Sequence, residues 1–223
     1  MKVFISAGHG GLDVGAVANG VKEKDLNLSI ALACRDELKR HGVEGKMSRE
    51  KDENDPLSEE IRECNAYAPD LAVSIHNNAG GNGKGDGAEV FHHHGGGKGK
   101  TLAENILAEI VKVGQNSRGA KIRKNSKGKD YYGFIRETSA PAVIVECAFV
   151  DNATDLKILA SESQRKTMGE AIAKGILKTL GVEIQGERRY YKVQVGCYLH
   201  RSYAEDMQKK IKAVGFDAFI VRE

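Results

Sequence analysis

The chain has 223 residues, of which 40% are hydrophobic and 29% are charged, and its formal net charge is +3. This length can bury a sizeable core, in one large domain or in a main domain with a small appendage. The composition excludes a disordered chain, and the mild basicity is not typical of a nucleic-acid-binding protein. We therefore expect a folded protein without a nucleic-acid partner.

The amino-terminal region leads directly into a predicted strand, because residues 3–7 form an apolar run before Gly8 and His9. A secretory signal would place an apolar segment and a small-residue cleavage site first, and neither is visible. No run approaches the roughly twenty apolar residues that a membrane-spanning helix needs. We expect a protein without a membrane span that is made in the cytoplasm and reaches any extracellular target by another route.

Strands and helices alternate along the first 180 residues. The predicted strands cover residues 3–7, 43–47, 71–76, 88–92 and 142–149, and the predicted helices cover residues 23–41, 57–67, 101–113 and 164–180. A glycine-rich loop is predicted at residues 77–87 and a lysine-rich loop at residues 115–130. This alternation predicts an α/β domain in which helices flank a mostly parallel, twisted sheet.

The carboxyl-terminal region has a different pattern. Residues 181–189 are polar and contain glycine, which is typical of a linker. Residues 190–223 then read as a strand, a helix at 202–214 and a second strand at 216–221, a small βαβ-like module. A module of about 34 residues is too small to hold a stable core alone. The predicted domains are thus 1–180 and 190–223, joined by the linker.

Three predicted strands carry residues suited to chemistry. The first leads into His9, the third ends on His76, and the last carries Glu146. Ligands bind at the carboxyl ends of parallel strands, so these side chains could meet in one place. Zinc binds imidazole nitrogen and carboxylate oxygen, and a catalytic zinc site keeps one position open. An ordinary hydrogen-bonding role for each histidine is the alternative.

Four short segments occur in a characteristic order. They are GHGGLDVGA at residues 8–16, EKDLNL at 23–28, SIHNN at 74–78 and VECAFVDN at 145–152. Together they resemble the zinc-dependent N-acetylmuramoyl-L-alanine amidases of the amidase type 3 family, and the resemblance extends over residues 1–180. Four ordered segments are far more specific than any one of them.

The resemblance implies one zinc ion per chain, with His9, Glu23 and His76 as ligands and Glu146 as the catalytic general base and acid. It implies hydrolysis of the amide between N-acetylmuramic acid and the L-alanine of the peptidoglycan stem peptide. The family usually has Asp-Pro before the Gly-His pair, whereas this chain has Ser6-Ala7. We expect this difference to change hydrogen bonding near the site without removing a ligand.

Other polar residues have two interpretations each. Asn77 and Asn78 could contact substrate or form a turn, and Arg136 could contact substrate or pair with a carboxylate. The run His92-His93-His94 looks like a metal-binding clip, but adjacent side chains in a strand point to opposite faces. We therefore assign this run no metal role from the sequence.

The tail resembles one half of a sporulation-related repeat (SPOR) domain, a peptidoglycan-binding module that normally contains two such halves. A single half could pair with the tail of a second chain, so we expect a homodimer formed through residues 190–223. The alternative is that the tail docks on its own catalytic domain.

Two other functions remain open at this point. One is a different zinc-dependent amide or peptide hydrolase, since similar ligands serve many substrates. The other is a cell-wall-binding protein without catalytic activity. For the amidase, the absence of a visible signal suits a lytic enzyme that reaches the wall after release, either through a phage holin (an endolysin) or through lysis of a sporulating mother cell (an autolysin).

Overall fold

The computed structural model describes residues 1–80, 82–184, 195–216 and 218–220. The chain divides into two compact units, Met1–Gln185 and Gly186–Glu223. Within the described residues, no helix has the length and apolar character needed to cross a membrane.

The first unit contains eight strands and six helices in its described residues. The strands are β1 (Lys2–Ala7), β2 (Val17–Ala18), β3 (Val21–Lys22), β4 (Glu44–Met47), β5 (Leu71–Asn78), β6 (Ala88–His92), β7 (Ser117–Lys121) and β8 (Ala142–Phe149). The helices are α1 (Glu23–Arg40), α2 (Leu57–Tyr67), α3 (Gly97–Lys112), α4 (Gly133–Glu137), α5 (Ala153–Leu159) and α6 (Glu162–Leu180).

Six of these strands form one sheet in the order β4-β1-β5-β8-β6-β7. All neighbours in it are parallel except β6 and β8, which are antiparallel. The predicted mixed fold with a mostly parallel sheet is therefore confirmed. The prediction of a lysine-rich loop at residues 115–130 was wrong in part, because this segment contains the edge strand β7. Edge strands tolerate charged side chains, so β7 lacks the apolar pattern that predicts a buried strand.

The larger core lies on the face of the sheet that α1, α3 and α6 cover, and a smaller apolar cluster lies on the opposite face with α2 and α4. Two glycines let α6 pack closely. A Cβ atom on Gly169 would lie 2.4 Å from the carbonyl oxygen of Ile30, and one on Gly175 would lie 2.4 Å from the Cα of Ile106. Helix α6 is therefore an integral part of the first unit.

The remaining differences from the predicted elements concern short or glycine-containing segments. The helices α4 and α5 and the β2–β3 hairpin were not predicted, because their few residues show no clear period. Helix α3 begins at Gly97 rather than at residue 101. It includes Gly99, which is buried, so packing outweighs the low helix propensity of glycine there.

The described part of the second unit contains one helix, α7 (Arg201–Ala213), close to the prediction of 202–214. The strand predicted at residues 190–195 lies outside the described residues except for Val195. Residues 195–216 and 218–220 carry no strand, so the strand predicted at 216–221 is not seen in its described positions.

Candidate metal centre

The carboxyl ends of β1 and β5 bring three ligand-type side chains together. His9 follows β1, His76 lies near the end of β5, and Glu23 is the first residue of α1. One ligand atom from each lies within 4.8 Å of the other two. Glu146 of β8 is the direct cross-strand neighbour of His76. The four residues named from the sequence thus occupy one place in the fold.

Glycines make room for this cluster. A Cβ atom on Gly8 would lie 2.1 Å from Cε1 of His76, so the imidazole rests directly against the glycine. A Cβ atom on Gly15 would lie 2.6 Å from Oε2 of Glu23, and the backbone of Gly15 also has a φ of +64°. His9 itself has a φ of 64°, which is uncommon for a residue other than glycine. The glycine-rich turn therefore shapes the site as well as the chain path.

Glu23 connects the two histidines. Its Oε2 lies 3.2 Å from Nε2 of His9, and its Oε1 lies 3.1 Å from Nδ1 of His76. The backbone amides of Ala16 and Asn77 donate to this carboxylate at 2.9 and 3.1 Å. These bonds fix both of its oxygens toward the imidazoles.

The cluster favours positive charge. Burial alone would raise the pKa of Glu23, but hydrogen bonds with His76 and His9 hold it well below its usual range. The bond to Glu23 is the main cause that raises the pKa of His9 to about 9. Burial would lower the pKa of His76, and its bond to Glu23 reverses the direction, so that this pKa is also raised. A pocket that stabilises protonated imidazoles in this way also suits a metal cation.

Asp13, which the sequence did not single out, lies behind His9. Its Oδ2 is 2.9 Å from Nδ1 of His9, on the side of the ring opposite to Glu23. A carboxylate accepts hydrogen bonds only, so Nδ1 carries a proton that points at Asp13, and in a neutral imidazole Nε2 would be the nitrogen left to bind a metal ion. The signal that could have revealed Asp13 is its position in the same glycine-rich turn as His9.

Glu146 has an unusual environment for a carboxylate. Its Oε2 is buried and has no hydrogen-bond partner. Burial raises the pKa of Glu146 to about 7, and the nearby charges of Glu23 and Glu89 act in the same direction. A carboxyl group that titrates near neutrality can both accept and return a proton.

Glu89 was also missed from the sequence. It lies opposite Glu146 on the antiparallel strand β6 and binds three groups. Its Oε1 accepts from Asn78 at 3.0 Å, and its Oε2 accepts from Arg118 at 2.9 Å and from Lys121 at 2.5 Å. Two cations therefore hold Glu89 ionised beside Glu146. The available signal was a charged residue within an otherwise apolar strand.

The predicted substrate contacts have other partners in the structure. The Asn77 side chain is buried and donates to Oδ1 of Asn27 at 2.8 Å, and the side chain of Asn78 donates to Glu89. The guanidinium of Arg136 donates to the carbonyl oxygen of Asp130 at 2.8 Å and binds Glu137. These contacts orient the site and its neighbouring loop, and substrate contact by the three residues stays a prediction.

Ser6, at the position where the family usually has aspartate, belongs to a buried hydrogen-bond chain. Its hydroxyl donates to Oε2 of Glu60 at 2.8 Å and accepts from Ser74 at 3.1 Å. Burial raises the pKa of Glu60 to about 7, with Asp55 as the next contributor. The substitution therefore places a neutral hydroxyl against a buried carboxyl group on α2, beneath the site.

Comparison with known proteins gives two family matches. The N-acetylmuramoyl-L-alanine amidase model matches residues 3–178, and the SPOR domain model matches residues 152–222. The beginning of the second match includes α5 and α6. Residues such as Met168, Ile172 and Ile176 of α6 are buried in the core of the first unit. The portion of the SPOR match outside that unit begins after Gln185.

Individual relatives agree with the first match. N-acetylmuramoyl-L-alanine amidase CwlM of Bacillus licheniformis is 33% identical over 99% of this chain and 85% of its own length. The sporulation-specific N-acetylmuramoyl-L-alanine amidase of Bacillus subtilis is 31% identical over 99% of this chain and 84% of its own length.

A solved structure shares the same fold. N-acetylmuramoyl-L-alanine amidase AmiC2 of Nostoc punctiforme superposes with a TM-score of 0.74 and 31% identity, over 81% of this chain and 97% of that one. The chain belongs to the N-acetylmuramoyl-L-alanine amidase family, and it is a peptidoglycan hydrolase of that class.

Proposed function

We propose that His9, Glu23 and His76 hold one zinc ion and that Glu146 carries the proton during hydrolysis of the amide between N-acetylmuramic acid and L-alanine. The observation that carries this proposal is the buried, unpartnered Oε2 of Glu146, which lies in register with His76 of the three-residue cluster. The family of the chain supports the choice of reaction.

The donor set fits zinc. Two imidazole nitrogens and one carboxylate are ligands that catalytic zinc uses, with a further position for water or substrate. Asp13 fixes the tautomer of His9, and the amides of Ala16 and Asn77 fix the carboxylate of Glu23. Such outer hydrogen bonds hold ligands in orientation and raise metal affinity.

Each residue then has a separate task. Zinc, when bound, supplies Lewis acidity toward the amide carbonyl and toward a water molecule. Glu146 accepts a proton from the attacking water at its free oxygen and donates it to the leaving amine of L-alanine. Its pKa of about 7 suits both transfers near neutral pH. Glu89, held ionised by Arg118 and Lys121, keeps a negative charge beside Glu146 and so favours its protonated form.

Digestion of purified peptidoglycan tests this proposal. We expect new L-alanine amino termini, with glycan strands released intact, and we expect a chelator to abolish the release and zinc to restore it. Mass analysis of the fragments identifies the bond. Cleavage within the stem peptide would indicate another zinc hydrolase, and absence of any product would indicate a binding protein; either result would contradict the proposal.

We also propose that the second unit joins two chains in a homodimer. No residue of α7 is buried in the structure, and several apolar side chains of the unit are exposed, including Tyr203, Val214, Phe216 and Phe219. Pairing of two tails would cover this surface. Light scattering on the full chain should give the dimer mass, and Phe216→Ser should weaken it relative to Lys209→Ser. A monomer at every concentration would contradict the homodimer and favour a tail that docks on its own chain.

Finally, we propose that the enzyme reaches its substrate when the producing cell lyses. The sporulation-specific relative, which aligns with 99% of this chain, supports a role in sporulation, for which we propose release from the mother cell; release by a phage holin is the competing route. Fractionation of the producing cells should keep the protein with the cytoplasm until lysis. Enzyme in the medium of intact cells would contradict both routes.

A further inference from the structure

A second group of metal-ligand side chains lies outside the catalytic cluster. His93 and His94 follow the end of β6, and Asp130 lies shortly before α4. Nε2 of His93 is 3.1 Å and Nδ1 of His94 is 2.7 Å from the same oxygen, Oδ2 of Asp130. The two imidazole rings are 4.4 Å apart between centroids.

The two histidines can converge because they lie beyond the strand. Strand β6 ends at His92, and its neighbours His93 and His94 belong to the turn that follows. Adjacent side chains point to opposite faces within a strand, but this rule does not apply to residues in a turn. The sequence argument against a metal role for this run therefore does not apply to these two residues.

Asp130 is held in place as a ligand would be. Its side chain is only 3% exposed, and the backbone amide of His94 donates to its Oδ1 at 2.8 Å. Arg136 donates to its carbonyl oxygen at 2.8 Å and to that of Tyr131 at 3.0 Å, which fixes the loop. Oδ2 is thus left for the imidazoles, which are 50% and 36% exposed, and Nδ1 of His93 accepts from the backbone amide of Gly95 at 3.0 Å.

This group is separate from the catalytic cluster. Along the antiparallel pair of β6 and β8, Glu89 lies beside Glu146, whereas His92 lies beside Val143. Three residues of strand correspond to about 10 Å, and His93 and His94 continue away from Glu146. The two clusters are at opposite ends of the same pair of strands.

We propose that His93, His94 and Asp130 form a second binding site for a divalent transition metal, with zinc as its natural occupant. A site with two imidazoles and a carboxylate binds zinc, nickel or copper in preference to magnesium or calcium. The ion would take the place of the protons now shared with Oδ2 and would join the turn after β6 to the loop before α4. An ion that binds only the folded chain stabilises it by mass action.

Zinc stoichiometry on the untagged full chain tests the site in a background without the catalytic ion. His9→Ala should bind one zinc equivalent that remains after dialysis, and zinc should raise its melting temperature. Adding His93→Gln and His94→Gln should remove both the equivalent and the rise. Adding His200→Gln instead, an exposed histidine of the second unit, should change neither. Asp130→Asn keeps an acceptor for the amide of His94 and should also abolish binding.

A chain with intact His9 supplies the complementary measurement. The parent protein should hold two equivalents, and His93→Gln with His94→Gln should hold one and retain amidase activity. If His9→Ala binds no zinc while the parent binds one, the second site is refuted and the catalytic site stands. If the double variant binds as much zinc as the parent, the second site is likewise refuted. Circular dichroism confirms that each variant is folded.

Discussion

The two histidine-carboxylate clusters contain the same donor types in different surroundings. The carboxylates are equally buried, with side-chain exposures of 6% for Glu23 and 3% for Asp130. The histidines differ: His9 and His76 are 25% and 22% exposed, whereas His93 and His94 are 50% and 36% exposed. Ligand type alone therefore does not distinguish a catalytic site from a surface site.

The neighbours of each cluster make the difference. The first cluster is adjacent to Glu146, whose free oxygen can exchange a proton, and it lies at the ends of strands in the sheet. The second consists of a turn and a loop, and it lies at the far end of the same strands. We infer that the first site carries out chemistry and the second joins two segments.

The close packing of the first cluster predicts the largest effect. Gly8→Ala places a methyl group 2.1 Å from the His76 ring, so the ring must leave the site. We expect loss of the catalytic zinc and a fall in activity of about 10²-fold or more, because a displacement of about 1 Å is that costly. Zinc content and peptidoglycan hydrolysis measure the two effects.

The matched control is Gly99→Ala, where the new methyl group would lie 3.7 Å from the nearest atom. Alanine is the better helix former, so this variant should keep full activity and equal or greater stability. If Gly8→Ala were as active as Gly99→Ala, the described position of His76 would be wrong.

The hydrogen bond between Asp13 and the predicted ligand His9 predicts an effect of intermediate size, on zinc affinity. Asp13→Asn replaces the carboxylate on Nδ1 of His9 with an amide that no longer enforces the tautomer. We expect zinc affinity to fall by about 10- to 100-fold, with activity restored by added zinc. Competition with a chelator measures the affinity. Asp25→Asn, an exposed change on α1, serves as the control, and equal affinity in the two variants would remove Asp13 from the site.

The buried hydrogen-bond chain of Ser74, Ser6 and Glu60, beneath the first cluster, predicts the smallest effect, and this effect is on stability. The pKa of Glu60 is about 7 in the folded protein, above its unfolded value, mainly because the carboxyl group is buried. Its contribution to stability is complete below the unfolded pKa and is lost as the pH rises through 7. Glu60→Gln should therefore raise the melting temperature at pH 8, by the equivalent of about 1 to 3 kcal/mol, and change it little at pH 4.

Thermal unfolding of Glu60→Gln at the two pH values makes this measurement, with Glu59→Gln, a partly exposed neighbour on the same helix, as the control. A gain at pH 4 that equals the gain at pH 8 would show that Glu60 does not become charged in the buried chain.

The sequence predicted most of the first unit because its strands are short apolar runs and its long helices have a clear period. His9, His76 and Glu146 could be found as polar residues that end or interrupt such runs. Glu23 could not be found in this way, because its role depends on the turn that places the start of α1 next to the end of β1. The sequence resemblance supplied it.

Residues whose roles depend on tertiary pairing were not predictable. Glu89 becomes important only because β6 runs antiparallel to β8 and places it beside Glu146. Asp130 is far from His93 and His94 in sequence, and its contact with them depends on the loop that Arg136 holds. The edge strand β7 was missed because its charged residues pair with Glu89 rather than with an apolar core.

Glu146→Gln tests the central claim most directly, with zinc content and hydrolysis of purified peptidoglycan measured on the same preparation. Glu137→Gln, a change at an exposed residue of α4, is the control. The account predicts that Glu146→Gln keeps the catalytic zinc and does not lower the melting temperature, while the rate of L-alanine release falls by at least about 10²-fold. A rate near that of the parent would contradict Glu146 as the proton carrier, and loss of the zinc would make it a ligand instead.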